Sequence, residues 1–130
     1  MVLPNLSTKP VATLCLILVF GLGAFPGIAA AHAYPTREYP KAKSVLTEAP
    51  TKIAISFDDP VEASFARLQV LNDMNTDFVA AAPRVESDRL TLSAPLKRLS
   101  PGSYRVIWSV LAEDGHRTKG SYTFKIAGTN

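Results

Sequence analysis

Cysteine is nearly absent: the 130-residue chain has one, Cys15, and it lies in an apolar run, Val11–Leu22. Histidine is almost as scarce, with His32 and His116 alone. No apolar run reaches the roughly 20 residues that cross a bilayer as a helix, since the run Val11–Leu22, VATLCLILVFGL, has twelve. No helical stripe extends beyond a couple of turns, and there is no internal repeat or low-complexity segment after the apolar run. The sequence also has no P-loop, G-x-G-x-x-G, C-x-x-C, H-E-x-x-H or G-x-S-x-G, so the common nucleotide, redox, zinc-protease and serine-hydrolase chemistries have no foothold.

The apolar run follows Lys9 and precedes the small residues Gly27–Ala31, the layout of a secretory signal peptide rather than an anchor. Small residues at the last and third-last positions before a cut are met by Ala29 and Ala31, which leaves His32 as the mature amino terminus. They are met equally by Ala31 and Ala33, which removes that histidine. The domain organisation expected is therefore a signal peptide over 1–31 and a single domain over 32–130. Cleavage after Ala31 removes Cys15 and Lys9, leaving 13 basic residues against 11 acidic ones, a net charge of +2. Such an exported domain has no disulfide and folds on its apolar core alone. The modest charge, with acidic residues interspersed and no Lys/Arg stripe along the sequence, excludes nucleic acid as an expected partner.

What the mature region does have is alternation. Ile53, Ile55 and Phe57 interleave with polar or small residues. So do Ala66, Leu68 and Val70; Leu90, Leu92 and Ala94; Tyr104, Val106, Trp108 and Val110; and Tyr122, Phe124 and Ile126. Period two predicts five half-buried strands, with weaker ones at Ala42–Leu46 and Asp77–Ala82 and a short helical turn or loop over Pro60–Ala66. Turn formers separate them: Ala49-Pro50, Asp58-Asp59-Pro60, Asn72-Asp73, Ser87-Asp88, Ser100-Pro101-Gly102 and Asp114-Gly115. The fold class expected is all-β, a Greek-key sandwich or barrel of immunoglobulin-like, cupredoxin-like form. Leu99-Ser-Pro-Gly-Ser-Tyr104, just before the longest strand, reads as a tyrosine corner.

Chemistry concentrates at Asp114-Gly115-His116. On extended backbone, positions two apart project to one side, so the carboxylate and the imidazole can converge on one ion. A D-x-H triplet is by itself equally consistent with a polar turn. A mature amino-terminal His32 changes the balance, because one residue then offers an amine and an imidazole as a chelate. His32, with amine and ring, Asp114 and His116 supply three nitrogens and one oxygen, a set suited to the tetragonal preference of Cu(II), one ion per chain. Free amines and imidazoles carry protons near neutrality, with pKa values of about 7.7–8.0 and 6.5, so the ion must displace protons and affinity falls with acid. A soft site for Cu(I) is not expected, because Met74 is the one sulfur ligand left after cleavage.

These residues resemble a known family. The start His32-Ala33, the segment Ile55-Ser-Phe-Asp-Asp-Pro60-Val61, the corner Leu99–Tyr104, and Trp108 through Asp114-Gly-His116-Arg-Thr-Lys-Gly120-Ser-Tyr-Thr-Phe124 are similar to the CopC-type periplasmic copper-resistance proteins. The resemblance runs from His32 to Ile126, and its most specific element is D-G-H-x-x-x-G-x-x-x-F. It implies a small periplasmic Greek-key domain that binds copper, with the family's Cu(II) ligands carried over to His32, Asp114 and His116. It also implies an inner-membrane copper transporter of the CopD type as a partner. Asp59 stands where some members have an acidic residue near the metal, which makes it a candidate for orienting an imidazole, against the plainer role of a turn acid before Pro60. Two departures stand out: the methionine-rich loop of some members is reduced to Met74, and Tyr34 replaces a histidine present in many.

Two other function classes compete. A histidine-brace copper enzyme would use the same amino-terminal histidine and His116, but a coordinating Asp114 would favour Cu(II) over Cu(I) and occupy the position where oxygen reacts. A metal-free sandwich module would use D-G-H as an ordinary hairpin turn. The reading taken forward is a binding protein, not an enzyme.

Overall fold

The structure is a computed structural model that describes residues 1–4 and 32–128; the signal-peptide reading of 5–31 lies outside the described residues. Eight strands follow one another: β1 (Pro35–Tyr39), β2 (Val45–Leu46), β3 (Lys52–Phe57), β4 (Arg67–Asn72), β5 (Arg84–Val85), β6 (Thr91–Pro95), β7 (Gly102–Leu111) and β8 (Arg117–Ile126). They make two four-stranded sheets, ordered β1-β3-β6-β5 and β2-β8-β7-β4. Five of the seven connections pass from one sheet to the other, and only the β5–β6 and β7–β8 hairpins stay within a sheet. This is the sandwich that the alternation predicted.

The period-two pattern becomes burial directly. Ile53, Ile55 and Phe57 of β3, Leu68 and Val70 of β4, Val106, Trp108 and Val110 of β7, and Tyr122, Phe124 and Ile126 of β8 all face the space between the sheets. Each large apolar side chain so buried contributes about 1.5–3 kcal/mol, which is how a domain without disulfides is held. At the corner the Tyr104 hydroxyl donates to the Ser100 carbonyl at 2.7 Å. Its ring stacks on Phe124 with centroids 5.5 Å apart and meets the edge of Phe78.

All five clear strands are present, and two weaker expectations need correction. Asp77–Ala82 is not a strand. It runs between the sheets, making single bridges from Asp77 to Leu71 and from Val79 to Leu96. The Asp77 carboxylate accepts the N–H groups of both Val70 and Val79, taking the place of ladder partners. Ala42–Leu46 contracts to Val45–Leu46, which pairs with β8 in parallel, an exception to the antiparallel arrangement. Pro60–Ala66 contains one 3-10 turn, Ala63–Phe65. Strands β1 and β5 are invisible to periodicity because β1 has no alternating burial and β5 is only two residues long.

The β7–β8 hairpin positions everything that follows. It pairs from Gly102 opposite Ile126 to Leu111 opposite Arg117, leaving residues 112–116 as its turn. In its middle Trp108 lies opposite Gly120. A Cβ at position 120 would sit 2.6 Å from the indole, so the glycine is required by the close approach of the tryptophan, which also packs edge-on against Phe57.

Candidate metal centre

The turn that closes the hairpin brings Asp114 and His116 together, though not by the route the spacing suggested. They are not on extended strand. Gly115 sits between them at φ +86°, in the left-handed region that favours glycine. The chain folds back so that the Asp114 carboxylate meets its neighbour twice. Oδ1 accepts the His116 backbone N–H at 2.9 Å, and Oδ2 lies 2.9 Å from the His116 ring Nδ1. The turn is closed further by Gly115 N–H to Ala112 O and Ala112 N–H to His116 O, both 2.9 Å. Its flank is fastened to the segment after β3 by the Val61–Ala112 bridge and by Glu113 N–H to Pro60 O. An ion pair between Arg89 and Glu113 ties it to the β5–β6 hairpin.

His32 arrives from the other end of the chain. Ala33 is completely buried, and its carbonyl accepts the Thr118 hydroxyl at 2.7 Å. The next residue is held from the other sheet: Tyr34 N–H donates to Asp58 Oδ1 at 2.7 Å, and Asp58 N–H donates to Tyr34 O. With both following residues clamped, the His32 ring lies 4.8 Å from that of His116, centroid to centroid, tilted by 35°. It also stacks with Tyr34, centroids 5.9 Å apart. The three residues singled out in the sequence therefore share one end of the sandwich.

Electrostatics at this end favour an anionic carboxylate. The His116 backbone N–H, and after it the hydrogen bond and charge of the His116 ring and the charge of His32, hold the Asp114 carboxyl below its ordinary range against a partial desolvation. Among the described residues, no group of three or more His, Cys, Asp or Glu side chains is drawn together as an ion-holding cage. The two rings meet at a tilt, and the Nδ1 of His116 is taken up by Asp114. The chain also carries Ala31 before His32, so the His32 nitrogen is a peptide nitrogen here and becomes an amine donor only by cleavage.

Sequence reasoning missed two positioning residues. Asp58, rather than the half-buried Asp59, grips the amino-terminal segment, and Thr118 holds Ala33. Their signal was weak: a second acid in an Asp-Asp-Pro turn, and a threonine two residues beyond the histidine. Met74 lies on an exposed turn after β4, with its N–H bonded to the Asn72 side chain.

The fold and this end of it have relatives. Residues 36–127 match the family model described as the CopC domain. The chain belongs to that family. The matched stretch contains Asp114 and His116 and begins after His32. Protein YobA of Escherichia coli strain K12 is 40% identical over 98 residues, covering 74% of this chain and 79% of the relative. Copper transport protein CutJ of Bacillus subtilis strain 168 is 30% identical over 113 residues, which are 85% of this chain but 21% of that longer protein. Among solved structures, CopC from Methylosinus trichosporium OB3b superposes with a TM-score of 0.70 at 25% identity, over 76% of this chain and 97% of that one. PcoC, a methionine-rich copper resistance protein from Escherichia coli, gives 0.64 at 27% identity, over 74% and 99%. The D-G-H-x-x-x-G-x-x-x-F pattern has a physical reading in this chain. Asp114 and His116 form the turn pair, Gly115 supplies the positive φ, Gly120 admits Trp108, and Phe124 stacks on Tyr104.

Proposed function

We propose that this member of the CopC domain family is an exported copper-binding protein. In this reading, cleavage after Ala31 exposes the His32 amine in the periplasm. The mature domain then holds one Cu(II) through that amine, the His32 ring, the Asp114 carboxylate and the His116 ring. It buffers the ion or hands it to a membrane copper transporter of the CopD type, and it performs no catalysis. The observation that carries the reading is the approach of the His32 and His116 rings, 4.8 Å apart, beside a carboxylate kept ionised. Three nitrogens with one anionic oxygen suit Cu(II) among the divalent ions. The same donors hold Zn(II) or Ni(II) less tightly. The copper resistance and copper transport named for PcoC and CutJ support the choice of metal, whereas the single Met74 sets this chain apart from a methionine-rich one and from a Cu(I) store.

The test is intact mass of the exported protein followed by Cu(II) titration of the same sample. A start at His32, one Cu(II) per chain, and loss of that ion when the amine is acetylated are the expected results. A start at Tyr34, or no tight copper with His32 intact, overturns the site. Oxygen consumption with a reductant, beyond that of free copper, would overturn the non-catalytic reading.

A further inference from the structure

Outside the candidate metal centre, one of the two sheets carries charge of a single sign. Strands β2, β4, β7 and β8 contain no aspartate or glutamate, yet carry Arg67, Arg105, Arg117, Lys119 and Lys125. All five are exposed, and among the described residues none takes part in an ion pair. Their hydrogen bonds are to neutral groups: Arg67 to the carbonyls of Ser64 and Ala66, Arg105 to Asn75, and Arg117 to the Ser109 hydroxyl. In sequence they are hidden by alternation with buried apolar residues, which is why no basic stripe was visible. Folding places them all on the outer face of one sheet.

Strand register gives the pattern. One row across the face is Arg67, Ser109 and Lys119; the next is Gln69, Ile107 and Ser121; the next is Leu71, Arg105 and Thr123. Arg117 lies beyond the first row, and Lys125 beyond the last. Cations thus stand at both ends of an uncharged middle centred on Ile107. A groove of about 870 Å³ runs over this middle, lined by Arg67, Gln69, Arg105, Ile107 and Lys119 and walled by Pro83. At about 3.3 Å per residue, the eight steps from Arg117 to Lys125 span roughly 26 Å, the length of an extended segment of eight or nine residues.

We propose that this sheet face docks an extended acidic segment of a partner protein, with carboxylates toward its two ends and a small or apolar residue over Ile107. Unpaired cations of one sign around a groove complement an anionic partner and steer its approach. A concave groove fits a chain rather than a flat bilayer. Of the exposed aromatic side chains that would anchor at a lipid interface, Tyr34 and Tyr39 belong to the amino-terminal segment and Phe65 to the turn before β4, and none is on the strands of this face. The same lack of exposed rings on the face removes the stacking platform that single-stranded nucleic acid uses. The proposal stands on the charge pattern and does not depend on the metal reading.

The experiment uses metal-free residues 32–130 and a fluorescein-labelled peptide of about nine residues with two glutamates at each end and a leucine at the centre, followed by anisotropy. Saturable binding that weakens with salt is expected. The exposed double variant R105E/K119E should bind at least about tenfold more weakly. K41E/K52E, with the same change in net charge away from the face, should bind within about twofold of the parent once salt is raised to about 0.15 M. Circular dichroism and melting of each variant establish that the fold is intact. No saturable binding overturns the proposal, as does an equal loss in both double variants. Tighter binding of phosphatidylglycerol vesicles or of an oligothymidine to the face than of the peptide also overturns it.

Discussion

The two ends of the β7–β8 hairpin are built from the same strands and put to opposite uses. At the open end Tyr104 is buried, its hydroxyl satisfied by Ser100 and its ring stacked on Phe124. At the closed end Asp114 and His116 are exposed, bonded to each other beside His32. The first end is packed into the sandwich, and the second stands outside it. The difference implies that substitutions at the two ends should separate stability from metal binding.

The largest expected effect is at the closed end. His116→Ala should lower Cu(II) affinity by more than about a hundredfold, beyond the 10–100-fold typical of losing a partner that merely orients a ligand. Because the side chain is exposed, melting of the metal-free protein should change by no more than about 0.5 kcal/mol. Isothermal titration and thermal melting of the same preparation measure both quantities. A large loss of stability would erase the contrast between the ends.

Midway along the hairpin, Gly120→Ala should destabilise by about 1–3 kcal/mol, since the new methyl meets the Trp108 indole at 2.6 Å and the core must shift. Copper binding by the folded fraction should survive. Thr118→Val sharpens the comparison from the other side, because it removes the hydroxyl that holds Ala33 while preserving shape. Cu(II) affinity should fall by about tenfold through misplacement of His32, with chemical denaturation little changed. At the open end, Tyr104→Phe should cost about 1 kcal/mol for the lost bond to Ser100 and leave copper affinity unaltered.

How much of this was legible before folding follows the same division. The five clear strands and the tyrosine corner were written in period-two burial and in one local pattern, because both depend on neighbours in sequence. Edge strands β1 and β5 and the bridging segment 77–82 were not, since their conformation is set by partners such as Asp77 with Val70. The pair Asp114 and His116 was legible as a motif, but its mechanism of convergence was misread: a positive-φ glycine turn joins them, not strand alternation. The clamps from Asp58 and Thr118 to the amino-terminal segment span 24 and 85 residues, and no local pattern encodes contacts of that range. The cationic sheet face was concealed for the same reason, being assembled from three separate stretches of chain.

The smallest effect concerns acid. Asp114 is held below its ordinary carboxyl range chiefly by the His116 backbone N–H. A carboxyl depressed in the folded state contributes stability that is present above its unfolded value of about 3.9 and is lost as pH falls through the folded value. Metal-free protein should therefore lose a little more stability between about pH 5 and 2 than Asp114→Asn does. The effect is small because the site is exposed and screened. Tyr104→Phe should run parallel to the parent across the same window, since no carboxylate partners that hydroxyl. Identical acid curves for parent and Asp114→Asn would remove the turn bond from the description. Copper release should not follow this window at all. With Asp114 already ionised, the protons that compete with the metal are those of the proposed amine and imidazole donors. Asp114→Asn should thus weaken Cu(II) binding by a similar factor at every pH above about 5 and leave the steepness of its fall with acid unchanged, whereas blocking the amine should change both.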